Sequence, residues 1–82
     1  MKKKITVTAM HIKIGVPLSS LACPIFLAAK GAGLREVSVY CYSMRVGPYK
    51  LSLPEKAQDF IRRFDAGEKV APFSFTVEVW KP

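Results

Sequence analysis

Few side chains in this sequence are chemically reactive: one histidine, His11, and two cysteines, Cys23 and Cys41. Nucleophilic catalysis needs a Ser or Cys beside a base, with a third group to orient that base. A Cys–His pairing could use either thiol with His11, and no local signature supports one. Cys23 precedes Pro24 where a helix is expected to start, and a thiol there ionises more readily under the backbone dipoles. Cys-Pro is equally an ordinary helix N-terminus. One His and two separated Cys fall short of four metal ligands, and CxxC spacing does not occur. Neither GxxxxGK[ST] nor GxGxxG is present, and GAG at 31–33 lacks the strand–turn–helix setting of a phosphate loop. The expectation is a protein that is not an enzyme and uses no cofactor and no metal.

Glu55, Asp59, Asp65 and Glu68 crowd one stretch, with Arg62, Arg63 and Lys69 among them. On a helix Asp59 reaches both arginines, at i+3 and i+4, which is surface pairing worth a few tenths of a kcal/mol. Aromatic and basic residues offer a second chemistry. In VSVYCY (37–42) and FTVEVWKP (75–82), apolar residues alternate with Tyr40, Tyr42 and Trp80. Exposed rings stack on unpaired bases or anchor a protein interface. They also pair across strands with no further role. Arg45 and Lys50 flank the central strands, and Arg62 and Arg63 stand on a solvated helix, where they could steer an anionic partner.

Regular elements must place these residues. Alternation makes ITVT (5–8) a strand, and Thr8 can cap a short turn through Ala9–Ile12 that Gly15 ends; the alternative is a strand running on to Ile14, against which Ala9 and Met10 break the β-branched pattern. Ser19 or Ser20 is a candidate N-cap for a helix through LACPIFLAAK, with Leu21, Ile25 and Ala28 inward. Pro24 favours a start nearer Cys23, because its missing N–H costs nothing in a first turn. A strand is expected over 36–42, with Cys41 inward, then a turn at Gly47-Pro48 and a return over Tyr49–Leu53. Pro54 opens the next helix, whose Ala57, Phe60, Ile61 and Phe64 recur at helical spacing. Pro72 leads into the last strand, FSFTVEV. The pattern predicts an α+β fold: a small two-layer sandwich, with a three- to four-stranded sheet and two helices on one face. Its open face would show Thr6, Thr8, Ser38, Tyr40, Tyr42, Ser74, Thr76, Glu78 and Trp80.

Eighty-two residues suit one domain with a modest core. Thirteen Lys and Arg against six Asp and Glu give +7 on 9.1 kDa, which permits steering toward nucleic acid and also serves simple solubility. The opening MKKKITVTAM alternates instead of forming an apolar signal core. SLACPIFLAA is far shorter than the ~20 residues of a membrane span. Two free thiols suit a reducing compartment. A cytoplasmic protein with no membrane association is expected.

The run ITVT, HI and G, then CPI and LA, then LPEKAQDFIRRFDAGEKVAPFSF resembles a group of small bacteriophage and prophage proteins of unknown activity. The likeness covers most of the chain. It implies an accessory protein acting on host machinery or on phage nucleic-acid metabolism, and it supplies no active residues. The leading expectation is therefore an interaction protein that binds a host or phage protein. Tyr40, Tyr42 and Trp80 would be its contacts, with Arg45, Lys50, Arg62 and Arg63 steering. Binding of single-stranded DNA or RNA by the same surface is the second reading, and a homodimer built through it the third.

Overall fold

A computed structural model describes residues 2–78. Its order is β1 (Lys2–Val7), α1 (Ala9–Ile14), α2 (Pro24–Gly31), β2 (Val37–Val39), β3 (Ser43–Val46), β4 (Tyr49–Ser52), α3 (Glu55–Asp65) and β5 (Phe73–Glu78). The class is α+β. The strands form two antiparallel sheets, β1–β5 and β2–β3–β4, where sequence alternation suggests one. Three helices stand where two are expected.

β1 and β5 pair with Ile5 opposite Phe75 and Val7 opposite Phe73. The period of two sends Ile5, Val7, Phe75 and Val77 inward, as alternation requires. In the second sheet Val37, Val39, Met44, Val46 and Leu51 are buried from one face. The expected strand over 36–42 stops at Val39. There Tyr40 N–H donates to Ser43 C=O at 2.7 Å, closing a tight turn with Cys41 and Tyr42 at its tip. Cys41 is thus exposed rather than inward. Gly47-Pro48 does turn the chain, joining Val46 to Tyr49. Gly47 has φ +59° and proline holds φ negative, the combination of a II′ hairpin turn.

The short α1 is closed by a capping box. Thr8 Oγ1 accepts from His11 N–H at 3.3 Å, and Thr8 N–H donates to His11 Nδ1 at 3.0 Å. The turn expected from Ala9 is therefore a helix that continues to Ile14, with Gly15 as its C-cap. α2 starts at Pro24, with Cys23 as N-cap and neither Ser19 nor Ser20 in that role. Leu21 falls in the preceding loop and is 60% exposed, a correction to its expected core position. Both longer helices end in Schellman motifs. Leu34 N–H reaches Ala29 C=O beyond Gly33, and Glu68 N–H reaches Arg63 C=O beyond Gly67. Gly33 and Gly67 sit at φ +93° and +79°, where only glycine is unstrained.

α2 touches β1, β2 and α1, so it ties the two sheets together. α3 docks through aromatic side chains: Phe60, stacked 6.0 Å from Phe64 on the same helix, lies 4.8 Å from Phe73 of β5, centroid to centroid. Buried residues of both sheets, α2 and α3 form one apolar cluster centred on Ile5, Ile25 and Met44.

Candidate functional site

The open sheet face expected to display the rings does not exist as one surface. Thr6, Ser74 and Thr76 belong to the β1–β5 sheet, and Ser38 belongs to the other. Tyr40 and Tyr42 lie beyond the strand ends at the β2–β3 turn, 51% and 73% exposed. Trp80 lies outside the described residues.

The two tyrosines instead border an apolar groove of about 600 Å³. Buried side chains of Cys23, Ile25, Val39, Phe60 and Ile61 form its floor. One wall is the β2–β3 turn, another is the loop through Leu18, Ser19 and Ser20, and α3 contributes Phe64 and Asp65. Lys50 stands at its edge. The volume lies within the roughly 300–1,000 Å³ of ordinary ligand sites, and the composition, apolar with a few polar groups, is theirs too.

The loop wall is pinned at three points. Val16 N–H donates to Ala22 C=O at 2.8 Å, which closes the loop on itself. Ser20 C=O accepts from Val39 N–H at 2.9 Å, which docks it on the edge of β2. Leu18 N–H donates to Asp65 Oδ1 at 2.9 Å, which ties its tip to α3. Leu18 sits at φ +62°, a costly backbone conformation for a leucine, and is 83% exposed. Neither Leu18 nor Asp65 stands out in the sequence as a site residue. The signal available is an apolar residue in a Pro-Leu-Ser-Ser loop, which is weak.

Other exposed large apolar residues lie close by in sequence. Among the described residues they fall in two segments only: Met10, Ile14, Val16, Leu18 and Leu21 in one, Tyr40 and Tyr42 in the other. The groove joins the two segments, since Leu18 and both tyrosines line it.

The four cations expected to steer a partner divide into two pairs. Arg62 and Arg63 are both ion-paired to Asp59, with Arg63 Nε 3.1 Å from its carboxylate, so the expected surface pairing on α3 is present. Arg45 and Lys50 face each other across β3 and β4 on the exposed side. The bond from Leu53 N–H to Tyr42 C=O fixes the alternation of the ladder. It makes Arg45 and Lys50 a non-hydrogen-bonded pair, the closer kind, with Cα atoms about 4.5 Å apart.

Cys23 does not behave as an activated thiol. Burial outweighs the N–H groups of Phe26 and Ile25 that favour a thiolate, and Asp65 adds repulsion, so its pKa is pushed up. Its Sγ instead accepts from Phe26 N–H at 3.4 Å as the helix cap. Among the described residues no group of three or more His, Cys, Asp or Glu side chains gathers as a metal site needs. Nor is any described helix long and apolar enough to cross a membrane. No family model, curated protein or solved structure matches the chain.

Proposed function

We propose that this is an interaction protein that captures a protein partner in the groove between the Leu18 loop, the Tyr40–Tyr42 turn and α3. One observation carries the reading: three of the exposed large apolar side chains among the described residues, Leu18, Tyr40 and Tyr42, come from distant parts of the chain to line one concavity. Scattered exposed apolar residues need no explanation, whereas a cluster around a concavity marks an interaction site. Tyr is also among the residues that most often carry binding energy at interfaces. By resemblance, the partner is a component of host or phage machinery, and the two free thiols suit a cytoplasmic setting.

The test places a photo-crosslinking amino acid at Tyr42, at Leu18 and, as a control, at Lys56 on the exposed side of α3, in the producing cell. Discrete adducts from the first two positions and none from Lys56 support the reading. Adducts at twice the mass of the chain would make it a homodimer, and no adduct from either groove position would remove the proposal.

Binding of single-stranded nucleic acid is the second reading, favoured by the exposed Arg45–Lys50 pair and the charge of +7. Against it, Tyr40 and Tyr42 stand at a turn rather than on a sheet face as a stacking platform requires, and Asp65 presents a carboxylate to the same groove. Anisotropy titration with labelled oligonucleotides separates the two, since phosphate contacts lose affinity steeply with salt.

A further inference from the structure

The groove has an uneven electrostatic edge. Lys50 lines it, and Arg45 stands directly across the ladder from Lys50 on the same exposed side. Like charges facing each other in an antiparallel pair are destabilising, and among the described residues neither cation has an ion-pair partner. The α3 arginines differ in that both pair with Asp59, whose single negative charge offsets one of their two positive charges. No acid comes from the loop wall: residues 1–35 hold six Lys and Arg and no Asp or Glu. Asp65 is the one acidic side chain lining the groove among the described residues, and its Oδ1 already accepts the Leu18 N–H.

We infer that the occupant of the groove is a peptide segment of the partner in which a large apolar side chain is flanked by acidic residues. The apolar side chain fills the space over Cys23, Ile25, Val39 and Phe60, and the carboxylates meet Lys50 and Arg45. The inference rests on the protein-binding reading above and adds the charge of the partner to it. The groove floor explains why a peptide suits the site better than a nucleotide. Its aliphatic and phenyl groups offer no donors or acceptors for base edges, its one thiol is a weak donor whose sulfur already accepts from Phe26 N–H, and the surface matches an apolar anchor. Two adjacent cations that have no ion-pair partner among the described residues supply orientation and a faster encounter.

A random peptide library displayed on phage, selected against the immobilised full chain, tests this. The expected consensus is Leu, Phe, Trp or Met with Asp or Glu within two or three positions. A synthetic consensus peptide should lose about tenfold in affinity with Tyr42→Ala, a typical anchor effect. It should lose about fivefold or more with Lys50→Glu, and a peptide with Lys replacing its acids should recover affinity for that variant. Both substitutions are at exposed positions, so the fold survives them. A consensus that is apolar without acids, or affinity unaffected by Lys50→Glu, overturns the inference and leaves the protein-binding reading standing. Failure to enrich any peptide that senses Tyr42→Ala overturns both. If labelled oligothymidine binds instead and Lys50→Glu abolishes it, the nucleic-acid reading replaces them.

Discussion

The backbone N–H of Leu18 donates to the carboxylate of Asp65, 47 residues along the chain, at 2.9 Å. Asp65 is the last residue of α3, where a negative charge opposes the helix dipole by about 0.3–1 kcal/mol. The exposed hydrogen bond returns about 0.5–1.5 kcal/mol, so the two effects nearly cancel in overall stability. What the bond changes is the loop, since Leu18 holds a strained φ and its exposed side chain forms one wall of the groove.

Asp65→Ala should therefore shift the midpoint of unfolding little while speeding hydrogen exchange at the Leu18 amide. Asp65→Asn keeps an acceptor and drops the charge, and should protect that amide while raising stability by a few tenths of a kcal/mol. Equal exchange at Leu18 in all three proteins would show that Asp65 does not hold the loop.

The two thiols should differ in reactivity by their surroundings. Cys41 lies exposed at the turn tip and should react with a thiol reagent in the native state. Cys23, 6% exposed with its pKa raised by burial, should react only as the chain unfolds. The raised value also has a consequence for stability. The unfolded thiol ionises near its ordinary value of 9.0 while the folded one keeps its proton. The contribution is thus fully present below that pH and is lost as pH rises toward the folded value. Cys23→Ser keeps a capping side chain and should show a shallower alkaline loss of stability than the parent. Identical slopes would mean that another group causes the loss.

Gly15 is fixed by packing rather than by its ordinary φ of −68°. A Cβ there would lie 2.6 Å from Cγ and Cδ of Pro24 and 2.8 Å from the His11 carbonyl oxygen. Proline cannot swing aside as a flexible side chain does, so α1 would have to move off α2. Gly15→Ala should cost about 1–3 kcal/mol, the usual range for overpacking, as read by urea denaturation. A neutral result would mean that α1 is only loosely docked.

Lys50→Glu separates folding from binding. It turns a facing pair of like charges into a cross-strand ion pair between Arg45 and the new carboxylate, which should raise stability by about 0.2–1 kcal/mol. A more stable variant that has lost the acidic peptide would mark Lys50 as a residue retained for its contact. A less stable one would show that Lys50 serves the fold itself.

Elements whose signals are local can be read from the chain alone. Pro54, the Ala57–Phe60–Ile61–Phe64 spacing and Gly67 set α3, because capping and one buried face act within a few turns. The alternation of β1 and β5, the Thr8 cap and the turn at Gly47 are legible for the same reason. The strand over 36–42 is a different case, because Val37, Val39 and Cys41 keep the period of two up to Cys41, while the chain turns after Val39. Whether alternating residues stay extended depends on a partner strand, and here β3 begins at Ser43 and leaves Cys41 and Tyr42 only a turn to occupy. The groove lies beyond local reading altogether. It needs Leu18 beside Asp65 and the Tyr40–Tyr42 turn beside Cys23 and Phe60, and contacts between distant segments arise from the shared packing of α2 and α3 against the sheets, which no local spacing records.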